Sequence, residues 1–107
     1  MRQKQYNYCG ENYLKISGLI WLDETIEKLI KKHNVKQTEV YEALKNKPYF
    51  HFVEKGCYDD ENVYASLSQT DGGRYLIVFF IYKKDGRAII LSARDMSKSE
   101  RRRYGKN

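Results

Sequence analysis

At 107 residues the chain is long enough for one domain that buries somewhat over ~60% of its unfolded surface, and a second domain is not expected. Hydrophobic residues at 41% and aromatics at 14% suffice for a core, and 32% charged residues make the surface polar; no apolar run approaches the ~18 residues of a membrane span and the opening Met1-Arg2-Gln3-Lys4 lacks a signal-peptide stretch, so a soluble, cytoplasmic protein is expected. The net charge of +6 lies wholly in the last third, where residues 71–107 carry ten Lys or Arg against four Asp or Glu while residues 1–70 carry ten of each, and a local guanidinium surplus beside tyrosine suits a phosphate polymer better than a membrane or an acidic metabolite.

Residues 1–18 are polar and tyrosine-dotted with no sustained period, which predicts a loosely attached arm ahead of a single domain over 19–107. Asp23 reads as a helix N-cap, and Leu22, Ile26, Leu29, Ile30 and His33 fall on one stripe, giving a helix over 23–33 that stops at Asn34. Gln37 or Thr38 opens a second helix with Val40, Tyr41 and Leu44 as its apolar side, ended by Pro48. From Tyr49 the period changes to two. Strands are predicted over 49–53, 63–68, 74–82 and 87–94, joined by turns at Asp71-Gly72-Gly73 and Lys83-Lys84-Asp85-Gly86. The run from Arg74 to Tyr82 is apolar on both faces, so it belongs at the centre of the sheet, covered on each side. Ser97 and Glu100 form the S-x-x-E capping box of a last helix through Tyr104. The expected fold is α+β, two N-terminal helices on a four-stranded, mainly antiparallel sheet with a short C-terminal helix.

Cys9 and Cys57 have neither CxxC spacing nor a histidine cluster near them, so two free thiols and no zinc site are expected. Arg94 ends the last strand, on the face of Ala88, Ile90 and Ser92 by simple alternation, where a guanidinium can hold a phosphate bidentately or form a salt bridge to Asp95, Glu100 or a helix carboxylate. Arg101 and Tyr104 share a helix face at i and i+3; Tyr104 can stack on a base, donate to a phosphate, or pack its ring on the sheet. Arg74 shares a face with Leu76 and Val78 and is placed to reach the same patch. Arg87, Lys98, Arg101 and Arg102 are the further RNA-binding candidates, Lys98 and Arg102 acting chiefly as a solvated basic field with Arg103 and Lys106. His33 is the obvious titratable base, either catalytic or a hydrogen-bonded interior residue, and His51 on a strand is less informative.

Arg87-Ala88-Ile89-Ile90-Leu91-Ser92-Ala93-Arg94-Asp95-Met96-Ser97, followed by Glu100-Arg101-Arg102-Arg103-Tyr104, resembles the ending of the BrnT family of bacterial toxins. Trp21-x-Asp23, Lys32-His33-Asn34-Val35 and Glu39-Val40 resemble its opening, and Gln69-Thr70-Asp71-Gly72-Gly73-Arg74-Tyr75-Leu76 its hairpin, so the likeness runs over residues 19–105. The resemblance implies a RelE-like ribonuclease fold and the toxin of a type II toxin–antitoxin pair, neutralised by a ribbon-helix-helix antitoxin of the BrnA kind in a complex that can bind operator DNA. It implies phosphate binding by Arg74 and Arg94 and phosphate contact or proton transfer by Tyr104. Two positions depart from the pattern: Asn34 stands where the family often has glycine, and Val63 where many members place an arginine.

The resulting expectation is a metal-independent, cofactor-free endoribonuclease that stops translation by cleaving RNA, with Arg74, Arg94, Tyr104 and His33 as its catalytic set. The alternative is a non-catalytic module whose basic face docks an antitoxin or binds nucleic acid. A plain single-strand binder would use its ten tyrosines as stacking platforms, and their scatter along the chain argues against it.

Overall fold

The structure, a computed structural model, describes residues 14–56 and 61–106. Its elements in chain order are β1 (Gly18–Ile20), α1 (Asp23–His33), α2 (Gln37–Lys45), β2 (Tyr49–Glu54), β3 (Asn62–Gln69), β4 (Tyr75–Tyr82), β5 (Arg87–Asp95) and α3 (Lys98–Gly105). Cys9 and Cys57 lie outside the described residues.

Helix α1 spans the predicted residues, but its cap differs. Leu22 is the N-cap, without a side-chain cap bond, and Asp23 is the first helical residue, where its charge faces the positive end of the helix dipole. Asn34 ends the helix in the left-handed conformation (φ 51°), which asparagine tolerates, and the N–H of Val35 returns to the carbonyl of Leu29 at 3.0 Å. In α2 the Glu39 carboxylate accepts the Lys36 backbone N–H at 3.0 Å. Val40 and Ala43 are fully buried, while Tyr41, expected on the apolar side, is 58% exposed.

The sheet has five strands rather than four, in the order β1-β5-β4-β3-β2, and it is mixed: β1 runs parallel to β5 and the other pairings are antiparallel. Three residues are too few to display a period of two, which is why β1 escapes sequence reading. The segment before it is tied down as well. Ser17 donates its N–H to the Gly86 carbonyl at 2.8 Å, Tyr82 donates its hydroxyl to the Lys15 carbonyl at 2.9 Å, and Leu14 and Ile16 pack on the core. The expected loose arm thus does not include residues 14–18, and its first thirteen residues lie outside the described set. Gly86 (φ 90°) makes the close approach possible, since an added Cβ would stand 3.2 Å from the Lys15 carbonyl oxygen.

Strand β4 is central and covered on both faces, as its apolar run requires. Leu76, Val78 and Phe80 pack with Leu29, Val35 and Val40 beneath α1 and α2. Ile77 faces the other way into a smaller cluster with Ala65, Leu67 and Met96, flanked by Tyr49, Tyr75, Phe79 and Tyr104 of α3. Across β4 and β5, Phe80 pairs with Ile90 and Phe79 with Ser92, so Leu91 is the extra residue of a β-bulge. This one residue reverses the later alternation. Ala88, Ile90 and Ala93 face α1 and α2, and Arg94 projects from the opposite face, contrary to the face read from the sequence. No helix among the described residues is long and apolar enough to cross a membrane.

Candidate functional site

The end of β5 carries two arginine clusters, one on each face of the sheet. On the α3 face, Arg94 is 37% exposed at its side chain and meets Glu100 end-on, Nη1 to Oε1 at 2.8 Å and Nη2 to Oε2 at 2.9 Å, while Nη1 also donates to the Asp95 carbonyl at 3.2 Å. Its guanidinium carbon stands 5.6 Å from the centre of the Phe79 ring. The Nε–H and one N–H of Nη2 have no partner among the described residues. These two share the edge of the fork suited to a second oxyanion. Glu100 is set in place by the capping box: its carboxylate accepts the Ser97 N–H at 2.8 Å, and the Ser97 hydroxyl accepts the Glu100 N–H at 3.2 Å. The hydrogen bond from Arg94 holds the Glu100 carboxyl down to about 2, with further help from Ser97, and Glu100 reciprocally raises the Arg94 guanidinium. Glu100 is therefore an anchor and no base at neutral pH.

Arg101 lies over Tyr75 at 4.1 Å, and Tyr75 meets Tyr104 edge-on at 6.1 Å, so both predicted α3 residues stand on the same face as Arg94. Tyr104 is half-buried by its ring, and its hydroxyl has no hydrogen-bond partner among the described residues. Lys98 and Arg102 are exposed.

Arg74 and His33 are elsewhere, on the face covered by α1 and α2. The Arg74 guanidinium has no N–H to spare. Nε and Nη2 grip the Asp95 carboxylate at 2.7 and 3.3 Å, Nη2 also donates to the His33 carbonyl at 2.9 Å, and Nη1 donates to the Asn34 carbonyl at 2.8 Å and to Glu39 at 3.2 Å. Arg74 thus ties the last carbonyls of α1 and the first turn of α2 to the end of β5. Its hold depresses the Asp95 carboxyl, with the charge of His33 adding to the effect. Arg87 is separate again, paired to Asp85 at 2.8 Å at the start of β5, seven residues and about 23 Å from Arg94 at ~3.3 Å per strand residue. The expected convergence of Arg74 with Arg94 and Tyr104 is accordingly corrected: the structure brings together Arg94, Arg101 and Tyr104 and leaves Arg74 apart, as it does the separate candidates His33 and Arg87.

Two residues of the α3 face carried no weight in the sequence. Phe79 supports Arg94, and His51 pairs with Ala65, which pairs in turn with Phe79, so His51 lies on the same face, two strands from Phe79 and three from Arg94, stacked on Tyr49 at 6.3 Å. Strand alternation groups 49, 51 and 53 together; only the pairing tells which side of the sheet they occupy. No group of three or more His, Cys, Asp or Glu is arranged to hold a metal among the described residues.

The family model described as "Ribonuclease toxin, BrnT, of type II toxin-antitoxin system" matches residues 21–100. No curated protein sequence matches the chain. Among solved structures, the 1.1 Å crystal structure of the Brucella abortus ribonuclease toxin BrnT superposes with a TM-score of 0.54 at 16% identity, covering 76% of this chain and 97% of that one, a likeness of fold. With the family pattern running through both helices, the hairpin and the arginine strand, the chain belongs to the BrnT family of ribonuclease toxins of type II toxin–antitoxin systems.

Proposed function

We propose that this chain is a metal-independent endoribonuclease of RelE-like type, the toxin of a type II pair, that stops translation by cutting RNA. The observation that carries the reading is the half-occupied fork of Arg94: Glu100 fills one edge and fixes its orientation, and the other edge keeps two N–H donors for a phosphate. Cleavage needs a 2′-OH attacking the adjacent phosphorus in line, stabilisation of the charge on the pentavalent centre, and a proton for the leaving 5′ oxygen. Arg94 supplies the second, where a fixed donor is typically worth ~10²-fold or more, with Arg101 of the same face in support. Tyr104 and His51, among the groups of this face able to move a proton, serve the first and third, typically ~10² to 10⁴ each. Val63 takes the place of the family's further arginine on this same face, opposite Ile81, so Arg94 carries more of the phosphate charge here. Arg74 is a positioning residue, acting through Asp95 on the strand end that bears Arg94.

Purified protein incubated with RNA in EDTA should cut it, leaving 2′,3′-cyclic phosphate and 5′-hydroxyl ends, and Arg94→Ala should remove the cutting. Intact RNA with the wild-type chain would instead favour the non-catalytic docking module, for which the prior neutralisation of Arg94 by Glu100 speaks. Induction of the chain alone separates the two, because only the nuclease arrests growth.

A further inference from the structure

We propose that the groove between residues 14–21 and α2 seats an acidic, apolar segment of a partner protein, which in a type II pair is the antitoxin; the partner's identity rests on the toxin reading above. A hollow of about 630 Å³ is lined among others by Ile16, Leu19, Trp21, Tyr41, Leu44 and Lys45. A second of about 340 Å³ shares Ile16 and Leu44 and adds Leu14, Lys15, Lys47 and Phe50, so the two form one trough.

Its charge has one sign. Lys15, Lys45 and Lys47 line it, and among the described residues no Asp or Glu does. The carboxylates of α2 are engaged elsewhere, Glu39 by Arg74 and the Lys36 N–H, and Glu42 by the Asp71 N–H. Tyr41 stands 58% exposed at the rim with the Lys45 ammonium 5.6 Å from its ring centre. An apolar floor of Ile16, Leu19, Trp21, Leu44 and Phe50 under a cationic rim complements leucine-like side chains flanked by carboxylates. Residues 1–13 of the chain carry Arg2 and Lys4 against Glu11, the sign of the rim, and complement it poorly. The trough lies on the helix-covered face, across the sheet from Arg94 and Tyr104. A partner seated there leaves the arginine face open, so docking and neutralisation are separable acts.

The probe is a labelled peptide of about twelve residues alternating leucine and glutamate, followed by fluorescence anisotropy with the full chain. Saturable binding that weakens with salt is expected, with Tyr41→Glu and Lys45→Glu each lowering affinity about tenfold or more and Arg94→Ala leaving it unchanged. Both variants change exposed side chains, and unaltered melting would show that the fold is kept. The proposal is overturned by absence of saturable binding, by equal affinity for a leucine–lysine peptide, by indifference to the two variants, or by displacement of the peptide with single-stranded RNA. A dimer dissolved by Tyr41→Glu would give the trough to a second copy, and an affinity altered by replacing Arg2 and Lys4 with Glu would give it to the chain's own residues. Both overturn it too. RNA cutting is measured separately: cutting without peptide binding removes the groove alone, and peptide binding without cutting removes the nuclease alone.

Discussion

Arg94 and Glu100 face each other across the junction of β5 and α3 in a two-point ion pair, 2.8 and 2.9 Å, in which the same carboxylate also closes the helix cap at Ser97. The pair makes the candidate phosphate fork and the start of α3 one unit, so a change at either residue is felt in both chemistry and stability. Arg94→Ala should lower RNA cutting by about 10²-fold or more. Arg94→Lys keeps the charge but loses the planar fork, and should recover only a small part of it. Single-turnover cleavage at saturating protein checks both.

The same pair predicts an acid limit. The Glu100 carboxyl is depressed from 4.5 to about 2 in the folded chain, so its stabilising contribution is complete above pH ~4.5 and is lost as the pH falls toward ~2. Asp95, also held below its usual range by Arg74, loses its contribution in the same direction. Urea unfolding followed from pH 6 down to pH ~2 should show this decline, and it should be shallower in Glu100→Gln. An unchanged slope in that variant would mean that Glu100 is not the titrating anchor.

Arg74→Ala should destabilise the fold by about 2 kcal/mol, since charged hydrogen bonds contribute ~1.5–3 kcal/mol and this side chain is a quarter exposed. The variant should leave the salt dependence of RNA affinity as it was. About four phosphate contacts on a single strand predict a log–log slope near ~−3, and loss of Arg74 from the contact set would make it shallower by ~0.7. A shallower slope would return Arg74 to the RNA interface.

The two histidines should separate. His51→Ala should slow cutting by ~10²-fold or more and remove a limb of the pH–rate profile, whereas His33→Ala, across the sheet, should keep both rate and profile. The opposite pattern would place the reacting groups on the helix-covered face. Lys98→Ala and Arg102→Ala should weaken RNA binding modestly without changing the rate of bound substrate, as expected of an exposed basic field.

Much of the architecture is legible in local pattern, because local physics decides it. The 3.6-residue stripe of α1 and its left-handed stop at Asn34, the two-residue alternation of β2 to β5, the glycine turns at Gly73 and Gly86, and the Ser97–Glu100 box each depend on residues a few positions apart. The doubly apolar strand announced its central place for the same reason. Tertiary structure alone decided the rest. Strand β1 is held by β5, whose residues come nearly seventy positions later, and three residues cannot signal that pairing. The face of Arg94 depends on a bulge at Leu91 created by the register against Phe79 and Phe80, which no alternation count contains. Whether an arginine is open or closed depends on which carboxylates and carbonyls surround it: Arg74 meets Asp95, Glu39 and two helix-end carbonyls and is closed, whereas Arg94 meets Glu100 and one carbonyl and keeps an edge. The sequence by itself thus determined the elements, the basic ending and the family pattern, while only the packed sheet decided which of those charges still faces outward, because hydrogen-bond saturation is a property of neighbours brought together from distant parts of the chain.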